Sequence, residues 1–170
     1  MELPKYSVGV GDRFSHQGKA QLRAVMRADE KGLAIAPVWS KSHREHEIIG
    51  TEPAEVRREA DAAVEALGWN GPYFVDADHI GRENVELFIE ASDFFTLDVA
   101  DFIGLSADEE VIAEFVSRHG DWTGELNLPH SDRNIELTVE KLEKIAGQYL
   151  LAIREAGRIY RLVEGEKGAV

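Results

Sequence analysis

The sequence has no cysteine at any of its 170 positions. Disulfide bonds and thiolate metal sites are therefore excluded, and the composition fits a reducing compartment. The chain also lacks any apolar run close to the roughly 20 residues of a membrane-spanning helix. Residues 1–5 lack the basic and apolar segments of a signal peptide. These absences predict a soluble, cytoplasmic protein with no membrane partner.

Basic residues are scarce relative to acidic ones. There are 19 Lys and Arg against 32 Asp and Glu, which gives a net charge of −13. Because nucleic acids and anionic membranes carry the same sign, this charge argues against both as partners. An anionic substrate would have to be bound by a local group of cations. The length and the 44% hydrophobic content suffice for a hydrophobic core, so we predict a single α/β domain over residues 1–170.

The first hundred residues alternate between short β-rich runs and helical patterns. The spacing predicts strands at residues 6–10, 33–38, 73–77 and 94–99, with helices between them at residues 18–26, 51–68 and 85–89. Such alternation implies a parallel sheet with right-handed crossovers. Both a doubly wound sheet and the first half of an eightfold barrel of about 250 residues fit this pattern.

Two details favour the half barrel. Gly9 and Gly11, near the end of the first strand, are not followed by the third glycine of a dinucleotide-binding turn, because Phe14 stands in its place. The chain also ends on a helix and a loop, at residues 164–168, where another strand would follow. We therefore predict a partial, TIM-like barrel with parallel strands, which is part of a larger barrel enzyme. Farther along, Ser106 to Glu109 predicts a capping box before a helix, and one long helix is expected from about residue 135 to 160.

Polar side chains follow or end each predicted strand, where the loops of a parallel α/β fold face a ligand. The candidate site residues are Asp12, Arg13, His16, Lys41, Asp76, Asp78, His79 and Asp98. Structural roles remain open for several of them. Asp12 could cap a helix, Arg13 could pair with a surface acid, and His16 could lie in a first turn without a ligand. Asp76 and Asp98 could hold backbone N–H groups, since a carboxylate near a core is costly without a partner.

Two details of spacing limit metal binding. His43 and His46 could bind one metal only if their segment were helical, and the serines and glycine around it predict a loop instead. Asp78 and His79 are adjacent, so on an extended strand they would point to opposite faces. Both can serve one site only if the backbone turns there, and the polar pair followed by Ile and Gly predicts that turn.

Five segments together resemble the tagaturonate epimerase family. They are VGVGDRFSHQGKAQ at residues 8–21, PVWSKSHREH at 37–46, YFVDADHI at 73–80, DFFTLDVAD at 93–101 and AGRIYR at 156–161. The resemblance implies a metal-dependent enzyme that interconverts D-tagaturonate and D-fructuronate in hexuronate breakdown. It implies that Asp78 is the proton acceptor and that His79 is a ligand of a divalent metal, such as Mn, Ni or Zn. It also implies that the proton donor and the other metal ligands lie beyond Val170, so that this chain is an N-terminally shortened and C-terminally truncated piece.

The chemistry of this reaction is consistent with the residues. The two sugars differ at a hydroxyl-bearing carbon two bonds from the ketone, so simple enolisation cannot epimerise it. A retro-aldol cleavage can, because it opens a carbon–carbon bond to an aldehyde and an enolate. This chemistry needs a base, a Lewis acid and a cation for the substrate carboxylate. We expect Arg13 or Lys41 to bind the carboxylate, and Asp76 to contact the substrate or to support the site.

Other functions also fit the pattern. The chain could belong to another metal-dependent sugar isomerase or to a class II aldolase on the same half barrel. It could instead be a non-catalytic module that binds a sugar acid or a protein partner. Because a half barrel exposes a strand edge and an apolar helix face, we also expect self-association.

Overall fold

We describe a computed structural model of the chain, covering residues 4–127, 129–130 and 134–168. These residues divide into two compact units, one of residues 1–98 with 159–170 and one of residues 99–158. The single-domain prediction for residues 1–170 stays a prediction. In the described part of the chain, no helix combines the length and the apolar character that spanning a membrane requires.

The first unit contains a four-stranded parallel sheet. Its strands are β1 (Ser7–Gly11), β2 (Ala36–Ser42), β3 (Phe74–Ile80) and β4 (Phe94–Leu97), and they lie side by side in sequence order. The connecting helices are α1 (Gly18–Asp29), α2 (His43–Ile49) and α3 (Pro53–Leu67), and a short 3₁₀ helix at Val85–Leu87 precedes β4. The α/β class with parallel strands is therefore confirmed. Strand order without a reversal is what a partial barrel requires and a doubly wound sheet does not show.

The core of this unit lies between the sheet and the two longer helices. Leu22 on α1 and Ala60 on α3 are fully buried against Trp39 and Val75 of the sheet. The helix predicted at residues 18–26 is confirmed as α1, which buries Gly18, Leu22 and Val25. Gly68 ends α3 in the left-handed conformation, with φ of 61°, which agrees with the predicted end of this helix at residue 68.

Several element boundaries differ from the sequence-based expectation. β2 begins and ends later than predicted, because its buried alternation continues through Trp39 and Lys41. β3 continues to Ile80 rather than ending at Ala77. The segment after β2 is the helix α2, not a loop. Its first turn is stabilised by a capping box between Ser42 and Glu45, a pattern that is present in the sequence and was overlooked.

The second unit holds the remaining elements. They are α4 (Glu109–Arg118), the antiparallel strands β5 (Gly124–Asn127) and β6 (Asn134–Leu137), and most of α5 (Val139–Lys167). The predicted capping box at Ser106 is wrong: Asp108 is the N-cap residue without a side-chain cap, and the Ser106 hydroxyl donates to the Ala107 carbonyl. The long helix is shifted toward the C-terminus, so the predicted loop at residues 164–168 is mostly helical.

Candidate functional site

A cavity of about 410 Å³ lies at the carboxyl ends of β2 and β3. The β2–α2 segment contributes Ser42, His43, Arg44, Glu45 and Glu47 to its lining. The other wall is formed by Asp78, His79, Asn84 and Asp98. In a parallel α/β fold this edge of the sheet is where ligands bind. Asp78, His79 and Asp98 are therefore brought together, as the sequence predicts.

An irregularity in β3 places Asp78 and His79 on the same cavity. The pairing of β3 with β4 shifts register between Ala77 and Ile80. His79 has a φ of 52°, in the left-handed region that residues other than glycine rarely adopt. The predicted turn of the backbone is thus present, as a bulge inside the strand rather than as its end. Such strain persists only where surrounding contacts hold it, and it is often found at functional sites.

Asp78 and His79 also contact each other. The Nδ1 atom of His79 lies 2.7 Å from Oδ1 of Asp78. When Nδ1 carries the proton, it donates to the carboxylate and leaves the lone pair of Nε2 available to a ligand. The His79 side chain is 65% exposed and that of Asp78 is 26% exposed. Asp78 is thus partly shielded, whereas the imidazole is open to the cavity.

This arrangement fits one ligand of a metal but not a whole metal site. A histidine that binds a metal commonly donates its other N–H to a carboxylate, as His79 can to Asp78. A catalytic zinc, by comparison, typically has three protein ligands. Within residues 4–127, 129–130 and 134–168, no group of three or more His, Asp or Glu side chains could hold a metal. The role of His79 as a metal ligand stays a prediction.

Glu45 organises the wall that faces Asp78. Its Oε1 accepts from Nε of Arg13 at 3.1 Å, and its Oε2 accepts from the backbone N–H and the hydroxyl of Ser42. Burial raises the pKa of this carboxyl, but the hydrogen bonds from Ser42 and Arg13 outweigh it and lower the pKa below 4.5. The ion-pair alternative for Arg13 is therefore what the structure shows. Its guanidinium links the loop after β1 to α2.

Asp12 and His16 belong to that loop rather than to the cavity lining. The Asp12 carboxylate accepts from the backbone N–H groups of Phe14, His16 and Gln17, at 3.2, 2.6 and 2.5 Å. These bonds hold the loop that precedes α1. The capping role that the sequence left open for Asp12 is not formed, because the N-cap residue of α1 is Gln17 and the helix has no side-chain cap. His16 is exposed, and its Nδ1 lies 3.1 Å from the carbonyl of Ser15.

Lys41 lies on the opposite face of the sheet from Asp76. It follows Trp39 by two residues on β2, so both side chains point to the helix-covered face. Lys41 is 1% exposed and donates from Nζ to the hydroxyl of Ser15 at 2.6 Å. Burial lowers its pKa, although Asp12, Glu55, Glu45 and Glu59 act against this. Lys41 does not line the cavity, and its role in binding the substrate stays a prediction.

Asp76 lies two residues before Asp78 on β3, so both side chains lie on the face of the sheet away from α1 and α3. The hydroxyl of Thr96 on β4 contacts both of its carboxylate oxygens, at 3.1 and 2.9 Å. Burial raises the pKa of Asp76, and the nearby Asp78 charge adds to this, whereas the bonds from Thr96 oppose it. Asp76 thus supports the strand that carries Asp78. A substrate contact of Asp76 stays a prediction.

The two histidines of α2 have different surroundings. The Nδ1 atom of His43 lies 3.6 Å from Oε2 of Glu47 at the cavity. His46 is 2% exposed, and its Nδ1 lies 2.9 Å from the hydroxyl of Thr51. Thr51 is therefore a partner of His46 and not the N-cap of α3, which is Glu52. Although the segment is helical, contrary to the prediction, the two imidazoles do not form part of a metal-binding group among the described residues.

Comparisons with known proteins identify the family of this chain. The profile of the tagaturonate epimerase family, UxaE, matches residues 1–168. The chain belongs to the tagaturonate epimerase family. No curated protein matches it.

Solved structures of epimerases resemble this chain in fold. Three crystal structures of fructuronate-tagaturonate epimerase UxaE from Cohnella laeviribosi are similar to this chain. One glycerol complex has a TM-score of 0.72 at 24% identity, and another has a TM-score of 0.74 at 22% identity. Each match covers 92% of this chain but 34% of the solved one. The chain thus spans about a third of the length of these epimerases, and the likeness shows the shared α/β fold.

The predicted site residues did not include six residues of the cavity wall, namely Ser42, His43, Arg44, Glu45, Glu47 and Asn84. The signal for the residues on α2 was the capping box, because Ser42 and Glu45 at this spacing indicate a helix that begins directly after β2. That helix brings Arg44 and Glu45 to the cavity. Asn84 accepts from the backbone N–H of Gly81 at 3.0 Å, and only the folded loop after β3 shows where it lies.

Proposed function

We propose that the chain supplies one part of an active site that interconverts tagaturonate and fructuronate. The family match over residues 1–168 supports the reaction class. The observation that carries the proposal is the Asp78–His79 pair, which is held at a strained bulge and faces a cavity at the carboxyl edge of the sheet. We also propose that a divalent metal is the cofactor and that its one ligand in this chain is Nε2 of His79.

Asp78 acts as the base in this proposal. It takes the proton of the substrate hydroxyl, and the bond between this carbon and the next one toward the ketone breaks. The electron pair of that bond forms an enolate, and the hydroxyl-bearing carbon becomes an aldehyde. The aldehyde turns, the bond forms again on its other face, and Asp78 returns the proton. When bound, the metal would supply a Lewis acid for the developing negative charge.

The surrounding residues position this base. The Nδ1 proton of His79 fixes one oxygen of Asp78, which leaves the other carboxylate oxygen for the substrate. Thr96 and Asp76 hold the preceding part of β3 against β4. The bond from the Asp98 backbone N–H to the Ile80 carbonyl, at 2.8 Å, ties the two strands together again after the bulge.

A metal titration tests the role of His79. Free Mn²⁺ would be followed by electron paramagnetic resonance as it is titrated with the wild-type chain, with His79→Ala and with the exposed control His16→Ala. We expect His79→Ala to weaken binding by roughly tenfold or more, as loss of a ligand does, and His16→Ala to bind like wild type. Equal affinity of wild type and His79→Ala would reject the ligand role.

A product assay tests the base. Because no group of three or more His, Asp or Glu among the described residues could hold a metal, we expect little turnover when the chain is incubated with tagaturonate and Mn, Ni or Zn. Any fructuronate detected by NMR should fall by a factor of roughly 10² or more in Asp78→Asn, the usual contribution of a general base. Unchanged product formation by Asp78→Asn would contradict the assignment.

A further inference from the structure

The cavity is acidic, although the proposed substrate is itself an anion. Four carboxylates line it, those of Glu45, Glu47, Asp78 and Asp98. The whole chain adds a net charge of −13. Without a cation at the cavity, the carboxylate of a hexuronate would be repelled from Asp78. The proposed metal at His79 would supply positive charge when bound. Recognition of the substrate carboxylate calls in addition for a side-chain cation that can donate hydrogen bonds to it.

The two cations expected from the sequence are engaged elsewhere. The guanidinium of Arg13 pairs with Glu45 and holds the loop after β1. Lys41 is buried on the helix-covered face and donates to Ser15. Neither side chain is among the residues that line the cavity. To bind a substrate there, each would first have to give up its present partner.

Arg44 has the properties that the other two lack. It is exposed, it lines the cavity together with Asp78 and His79, and it is the one Lys or Arg among the lining residues. Its neighbour Glu45 already has Arg13 as an ion-pair partner, and no ion pair is formed by Arg44 with the described residues. The capping box of Ser42 and Glu45 fixes the first turn of α2, on which Arg44 lies.

We propose that Arg44 binds the carboxylate of the hexuronate and thereby selects a sugar acid over the corresponding neutral sugar. This inference rests on the proposed function and adds a specificity-determining residue to it. The planar guanidinium can hold a carboxylate through two parallel hydrogen bonds, which a lysine cannot match in geometry.

The same contact has a consequence during the reaction. The cleaved bond leaves the carboxylate on the aldehyde fragment, since both lie on the side of the bond away from the ketone. A guanidinium that holds the carboxylate keeps this fragment in the cavity. The aldehyde can then rotate about the bond next to it and present its other face to the enolate. Arg44 thus anchors one end of the fragment while the reacting end turns.

Binding measurements on the 170-residue chain test the proposal without any metal. Calorimetric titration with D-tagaturonate and with D-tagatose, in which CH₂OH replaces the carboxylate, would compare wild type with Arg44→Met, Arg44→Lys and the surface control Arg58→Met. We expect wild type and the control to prefer tagaturonate by about tenfold or more, the effect of one charge-assisted hydrogen bond. Arg44→Met should lose this preference by weakening only tagaturonate, and Arg44→Lys should keep part of it.

The outcomes separate this inference from the function on which it rests. If Arg44→Met keeps the wild-type preference, the inference is wrong while tagaturonate binding still supports the function. If wild type binds tagaturonate no better than tagatose, Arg44 does not select the acid. If wild type binds neither sugar, the proposed function and the inference fail together. Far-UV circular dichroism of each variant checks that a loss of binding does not come from unfolding.

Discussion

Acidification should destabilise the first unit through one buried histidine, His46. Its side chain is 2% exposed, its ring lies edge-on to Phe88 with centroids 5.8 Å apart, and its Nε2 has no hydrogen-bond partner among the described residues. Burial, reinforced by the positive charges of Lys41 and His43, lowers the pKa of His46 from 6.5 to about 4. A proton added at Nε2 would therefore be buried without an acceptor.

The sign and size of the effect follow from this pKa. The folded state binds the proton more weakly than the unfolded state, so stability is fully present above pH 6.5 and falls as the pH drops toward 4. Each pH unit between the two values is worth about 1.4 kcal/mol, so the total loss from His46 is about 3 kcal/mol. By the same relation, roughly 2 kcal/mol is already lost at pH 5.

Urea unfolding followed by tryptophan fluorescence measures this loss, because Trp39 lies in the core of the same unit. The free energy of unfolding would be compared at pH 7.5 and pH 5 for wild type, His46→Asn and the exposed control His16→Asn. His46→Asn keeps a polar group near the Thr51 hydroxyl but cannot titrate. The raised pKa of Asp76 acts in the opposite direction and is common to all three proteins. If His46→Asn loses as much stability as wild type, the reasoning is wrong.

Three further predictions concern stability at neutral pH, each measured as the free energy of unfolding in urea. Leu22→Ala should cost about 3 kcal/mol, because a fully buried side chain is replaced by a cavity; a cost near zero would place Leu22 outside the core. Asp93→Ala should cost about 1–3 kcal/mol, because the buried Val75 N–H, 2.9 Å from the carboxylate, loses its acceptor. Asp93→Asn should recover part of this stability, and no recovery would contradict the role of that bond. Asp12→Ala should cost about 1 kcal/mol, because the backbone N–H groups of His16 and Gln17 lose their acceptor, and an unchanged midpoint would show that the loop does not depend on it.

Local signals accounted for the elements of the first unit. The apolar spacing of α1 and the left-handed Gly68 after α3 depend on a few neighbouring residues, so the sequence contains all the information that they need. The helix α2 could have been predicted in the same way from Ser42 and Glu45. The capping box at Ser106 shows the limit of such signals, because the same pattern did not form a cap there. A short motif makes certain contacts possible, but whether they form depends on the contacts that the rest of the chain makes.

The candidate site, like the fold, could be predicted from the sequence only in part. The residue types at 78 and 79, and their place at the end of a buried strand, indicated by sequence alone that a carboxylate and an imidazole would meet at the edge of a parallel sheet. Only the tertiary structure decided how they meet, because the bulge in β3 depends on pairing with β4. The positions and partners of the cationic side chains could likewise be found only from the tertiary structure. Strand register turns Lys41 away from the cavity, and packing across 32 residues of sequence joins Arg13 to Glu45. Arg44 remains at the cavity for the same reason, since the partners of a charge are set by which segments the fold brings together and not by the residues beside it in sequence.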